Sequence, residues 1–147
     1  MPAALPSSGY SGTPLAAKLG LKDGMVAAFI ALPESLSALA EIASFPVVDR
    51  PTSWSSVGAA RKYDVVHAFT KVRAEIETHL ASLQAALKPN GMIWVSWPKK
   101  ASKVPTDVTE NIVREAALKL DLVDVKVAAI DDVWSGLKLV IRKERRA

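Results

Sequence analysis

The sequence predicts an α/β domain built on a doubly wound, mostly parallel sheet, with an antiparallel strand pair near its C-terminus. Three observations predict it. The runs MVAAFIAL (25–32), YDVVHAF (63–69) and MIWVSW (92–97) are almost wholly apolar and flanked by turn residues, the pattern of strands buried on both faces. The segments between them carry apolar residues at helical spacing, so that strands and helices alternate. The last two strand-like runs, LVDVKVAAI (122–130) and LKLVIRK (137–143), are joined by a short turn, Asp131 to Gly136, which suits an antiparallel pair.

Taken in order, residues 1–12 hold two prolines, two glycines and three serines and read as a flexible arm before a single domain at 13–147. Folded across the upper edge of the sheet, the arm would bring Tyr10 over a pocket there. Thr13 and Pro14 suit an N-cap and first-turn proline, and Gly20 suits the stop of a helix over Pro14 to Leu19. Lys22-Asp23-Gly24 is a turn before the first strand. Pro33 opens a helix whose Leu36, Leu39, Ile42 and Ala43 share a face, and FPVVD (45–49) is a short strand. Residues 50–62 show no period and read as a loop with one helical turn. Lys71 to Leu87 is the best helix, with Val72, Ile76, Leu80, Leu83 and Leu87 in one stripe and Lys88-Pro89-Asn90-Gly91 as the stop. Asp107 and Glu110 have capping-box spacing before a stripe of Val108, Ile112, Ala116 and Leu120.

Composition narrows the class. Half of the 147 residues are hydrophobic and 23% are charged, which is globular and not disordered. No apolar run reaches the roughly 18 to 20 residues that span a bilayer, and the first residues lack the pattern of a secretory signal. A cytoplasmic protein, with no membrane partner, is the expectation. The absence of cysteine removes disulfides, thiolate metal sites and a cysteine nucleophile. The net charge of +4 belongs mostly to RKERRA at the end: without it 15 basic and 14 acidic side chains remain. A solubilising end accounts for such a tail without nucleic acid.

Strand, helix, Leu87-Lys88-Pro89-Asn90-Gly91, strand, helix and closing hairpin together are similar to the second half of class I S-adenosylmethionine-dependent methyltransferases, a Rossmann-like fold. In that family a helix ending in L-K-P-G-G precedes the fifth strand. The resemblance implies that the last two strands are the family's sixth and its antiparallel seventh, the latter inserted beside the fifth. At a finer level, GYSGTPLAAKLGL, SWPKK and WSGLKLV resemble a small bacterial family of unknown function, which implies no activity. The methyltransferase pattern has a glycine-rich turn after its first strand, where backbone amides approach the cofactor. Here Ala31-Leu32-Pro33-Glu34-Ser35-Leu36 has no glycine, and Pro33 lacks an amide proton. The family's ribose-holding acid after the second strand has one counterpart, Asp49. The family's third strand is missing or merged into the 50–62 loop.

Ligands of open α/β sheets bind beyond the carboxyl ends of the strands, where strand order reverses. That switch falls between the strands at 25–32 and 63–69. Trp97, Lys99, Lys100 and Lys103 leave the next strand over, and Asp131, Asp132 and Trp134 emerge on the same edge. Two readings of this neighbourhood compete: lysines over an aromatic floor that bind a small anionic ligand, or a solvated latch of lysines on aspartates, worth about 0 to 1 kcal/mol per pair. His67, inside an apolar strand, reads as a hydrogen-bonded core residue, and His79 as the edge of helix packing. Two isolated histidines make no metal site. Ser55, Ser96 and Ser135 adjoin tryptophans but have no general base beside them in sequence. Exposed tryptophans at strand ends would suit a homodimer surface equally well.

The function expected from these residues alone is a non-enzymatic binding or interaction module on a degenerate methyltransferase-like scaffold, needing no cofactor. The alternative is a diverged methyltransferase gripping S-adenosylmethionine through Asp49 and the 97–103 loop. A second alternative is a nucleic-acid-associated protein using RKERRA and Lys99 to Lys103.

Overall fold

The computed structural model describes residues 14–58 and 60–146. The arm at 1–12, Tyr10 and the Thr13 cap lie outside the described residues. The order is α1 (Leu15–Leu19), β1 (Val26–Ile30), a 3-10 helix (Glu34–Glu41), β2 (Val47–Asp49), a 3-10 turn (Trp54–Ser56), β3 (Tyr63–Phe69), α2 (Arg73–Ala86), β4 (Leu87–Pro98), α3 (Glu110–Leu118), β5 (Leu122–Ala129) and β6 (Trp134–Ile141). One sheet runs β2-β1-β3-β4-β6-β5. β1, β2, β3 and β4 are parallel, and β6 lies antiparallel between β4 and β5. This is the doubly wound, Rossmann-like sheet of the methyltransferase type, with the last strand inserted beside β4. Among the described residues no strand lies beyond β2, and the loop after β2 carries its Trp54 turn to α2 and the end of β3.

The apolar runs build the centre because neither face of β3 over 65–69 nor of β4 over 91–98 meets water. Val65 to Phe69 and Ile93 to Val95 are buried throughout. Even-numbered residues of β1 and β3 (Ala28, Ile30, Val66, Ala68) face α2 and α3 with Ile76, Leu80, Leu83, Val113 and Ala117. Odd-numbered ones (Ala27, Phe29, Val65, Phe69) face α1 and the 3-10 helix with Leu15, Leu19, Leu36 and Leu39. Period-two alternation thus splits one sheet into two cores. Gly20, at φ 71, ends α1 in the left-handed conformation that glycine tolerates. The turn is fixed to the sheet by the Trp94 indole, which donates to the Leu19 carbonyl at 2.9 Å.

Several boundaries differ from the sequence reading. The segment after Pro33 is a 3-10 helix with a kink at Leu36, not an α-helix. Val72 is 52% exposed and caps α2 instead of joining its stripe, while Ala86 joins it. Leu87-Lys88-Pro89-Asn90-Gly91 already belongs to β4. The Asp107–Glu110 capping box does not form: Thr109 is the N-cap of α3, its hydroxyl accepting from the Ile112 amide at 3.3 Å. Asp107 caps a different helix, accepting from the Arg73 amide of α2 at 2.6 Å. The hairpin turn is also shorter than Asp131 to Gly136, because Trp134, Ser135 and Gly136 are already paired with Pro98, Trp97 and Ser96. A Cβ at Gly136 would lie 2.9 Å from Ser96 Oγ and 3.1 Å from the Trp94 ring, so this strand position has room only for glycine. Among the described residues no helix is long and apolar enough to cross a membrane.

Candidate functional site

The switch point predicted from sequence is present: β1 pairs with β2 on one side and β3 on the other. Its floor is the turn leaving β1. Ala31 adopts φ 54, the left-handed region that favours glycine. The turn therefore keeps a glycine's backbone shape with the smallest side chain that has a Cβ, at a cost of about 1 to 2 kcal/mol. Its amide donates to the Pro51 carbonyl at 2.9 Å, bringing the exit of β2 against the exit of β1. Alanine carries no sequence signal for a positive φ, and this feature was missed.

Asp49 ends β2, level with Ala28. One carboxylate oxygen, Oδ2, accepts from the Tyr63 hydroxyl and pairs with Lys62 Nζ at 3.1 Å. The Tyr63 hydrogen bond, then Lys62, holds the carboxyl below the usual carboxylate range, so it is ionised at neutral pH. The side chain is 38% exposed, and Oδ1 has no protein partner among the described residues.

Trp54, also missed, lies in the loop between β2 and β3. It is fully buried against the α2 face with Ile30 and Ala68, and its indole donates to the Phe69 carbonyl at the end of β3, 2.9 Å away. On the opposite face His67 is fully buried, its ring stacked on Phe69 at 4.2 Å, with Nε2 2.8 Å from Ser96 Oγ. Burial pushes its pKa down to about 3, and Nδ1 has no partner among the described residues. His67 is thus a neutral core residue, and Ser96 is buried beside it as its partner. Among the described residues no group of three or more histidines and acids could hold a metal.

A cleft of about 600 Å³ opens beyond β4, between the 99–106 loop and the start of α3. Trp97, Lys99, Lys100 and Lys103 line it together with Val104, Pro105, Thr106 and Glu110. Asp131 and Trp134 do not. The two loops do touch, the Lys99 amide donating to the Val133 carbonyl at 2.7 Å. However, Pro98 is the residue opposite Trp134 in the ladder. Trp97 therefore packs into the α2–α3 core and Trp134 into the other, against the Phe69 edge at 5.3 Å. Asp131 Oδ1 accepts from the Val133 and Trp134 amides at 2.8 and 2.7 Å, closing its own turn. Among the described residues no ion pair joins Lys99, Lys100 or Lys103 to Asp131 or Asp132, so the latch is not made. All four tryptophans are buried, which removes the aromatic surface behind the homodimer expectation.

No protein-family model matches the chain, and no curated protein is similar to it in sequence. Solved structures do match. The magnesium protoporphyrin IX methyltransferase of Synechocystis PCC 6803 with bound SAM superposes with a TM-score of 0.63 at 14% identity, over 87% of this chain and 74% of that one. A SAM dependent methyltransferase from Aquifex aeolicus gives 0.61 at 13% identity over 87% and 88%. The B. subtilis M1A22 tRNA methyltransferase gives 0.59 at 12% identity over 95% and 68%. These neighbours overturn the first expectation, a non-enzymatic module, in favour of its methyltransferase alternative, and they leave the expectation of no cofactor without support. At such identities the likeness is one of fold: the chain has the mixed, mostly parallel α/β architecture of class I methyltransferases.

Proposed function

We propose that the protein binds S-adenosylmethionine at the β1–β3 switch point and serves as a diverged methyltransferase. The observation that carries this reading is Ala31, a non-glycine residue held at φ 54 where the family's turn uses glycine. Strain of this kind persists where the surrounding structure requires that backbone shape. The fit is one of conformation and charge. Ala31 would let the cofactor approach the main chain, and Asp49 Oδ1 would accept from its ribose hydroxyls. The departure from the family lies in the donors: the Ala31 amide is already used and Pro33 has none. The group supplies a methyl on cationic sulfur, which an acceptor's lone pair takes as the C–S bond breaks and leaves a neutral sulfide. The SWPKK and WSGLKLV likeness to a small bacterial family adds no activity to this reading.

Isothermal titration with S-adenosylmethionine and with its demethylated product tests it. Micromolar binding is expected, and Asp49→Ala should weaken it about 10- to 100-fold, the worth of a charge-assisted hydrogen bond. No binding of either compound to the wild-type chain would overturn the assignment.

A further inference from the structure

We infer that the cleft beyond β4 is an anion site, and that it takes a phosphate or carboxylate group of a small molecule. Resting on the methyltransferase reading, that molecule is the methyl acceptor. Three observations converge. First, Lys99, Lys100 and Lys103 surround one cleft without a carboxylate partner among the described residues. Its one acidic liner, Glu110, is already paired with Arg114. The rim is therefore uncompensated positive charge, and like charges so close repel until a counter-charge enters.

Second, the loop that carries these lysines is built to hold them. Ser102 Oγ donates to the Lys99 carbonyl at 2.7 Å and accepts from the Val104 amide at 3.2 Å. Lys103 sits at φ 63 as the residue that ends the short 3-10 turn of Lys100–Ser102. Buried Trp97 and Val108 close the floor. A mobile basic loop would lose entropy on capturing an anion, whereas this one has largely been ordered already.

Third, the cleft borders the crevice. The Thr106 hydroxyl donates to the Lys71 carbonyl at 2.8 Å, and Asp107 holds the Arg73 amide. Both tie the loop to the residues that leave β3 on the switch-point edge. An acceptor anchored on the lysines would thus lie one strand away from the cofactor position. The scale suits a small molecule: about 600 Å³ is within the range of small-ligand sites.

The test is an amide-resonance titration of the full chain with inorganic phosphate, with citrate, and with a short oligouridine. Phosphate or citrate should shift resonances within 97–110, and Lys99→Gln/Lys100→Gln/Lys103→Gln should weaken that binding at least tenfold while S-adenosylmethionine binding stays within twofold. Lys100 and Lys103 are exposed and Lys99 is half-buried, so the triple variant should melt close to the wild type; Lys100→Gln alone, losing about threefold, serves if it does not. Shifts scattered over the surface, or affinity unchanged in the variants, would overturn the site. So would oligouridine binding that is much tighter and depends on residues 142–146. Anion binding that persists when S-adenosylmethionine fails to bind would sustain the cleft and sink the methyltransferase reading alone.

Discussion

The two flanks of the sheet are secured by different means. Toward β4 and β6 the strands are zipped over an unbroken register from Met92↔Val140 to Pro98↔Trp134, with α2 and α3 covering one face. Toward β2 the register spans only Val26↔Val47 to Ala28↔Asp49, Val47 is exposed, and the cover is a 3-10 helix and a loop. The loop that leaves β2 is anchored by a buried indole, Trp54, which lies on the α2 face at the end of β3. A long ladder distributes its stability over many bonds, whereas a short one leans on whichever large side chain anchors the loop beside it.

The largest effect should therefore come from Trp54→Ala, which removes a fully buried ring and orphans the Phe69 carbonyl. A cost of about 3 to 5 kcal/mol is expected from the urea midpoint, with amides of β2 losing exchange protection before those of β4 and β6. A cost under about 1 kcal/mol, or simultaneous loss across the sheet, would break the comparison.

The seam between the flanks carries the next effect. His67 stays neutral in the folded protein down to about pH 3, while in the unfolded chain it protonates near 6.5. The unfolded state thus binds more protons between those values, and stability falls as pH drops through the window. About 2 kcal/mol should be lost between pH 7 and pH 5. His67→Gln, which does not titrate, should flatten that slope; an unchanged slope would place the dependence elsewhere.

On the well-zipped flank, Asp107→Ala and Thr109→Ala should each cost about 1 kcal/mol through lost helix caps. Asp107→Ala is expected to act on α2, seen as faster exchange at Arg73, although the residue lies in the approach to α3. The smallest effect belongs to Ala31→Gly. Relief of the left-handed strain offsets the added freedom of the unfolded chain, so stability should hold or rise by up to about 1 kcal/mol. Ala28→Gly, in ordinary extended backbone, should lose about that much, and equal losses at both positions would refute the strained turn.

The sequence made some parts of this legible and others not, for physical reasons. Tyr63–Phe69 was readable to the residue because a mostly apolar run, interrupted only by Asp64 and His67, between polar flanks has few other homes. Strand order and the inserted β6 followed from the resemblance to a known fold. Asp107 was misassigned because a local spacing cannot show that its carboxylate reaches an amide 34 positions earlier. Trp97 and Trp134 looked like neighbours because both leave the same edge. A shift of one residue in the register decides which face each takes, and that register is invisible in the chain. Within the site, the lysines were found by charge, but the oxygens and turns that seat them were not.

Asp107 and Thr106 have one more consequence. The start of α2 is completed by atoms borrowed from the strand exit beside it, so the loop and that helix end form one mechanical unit. Whatever settles among the three lysines will tug on the first turn of α2. Occupancy at the rim should then be audible at Arg73 as slowed solvent exchange, a signal carried by two hydrogen bonds and no hinge.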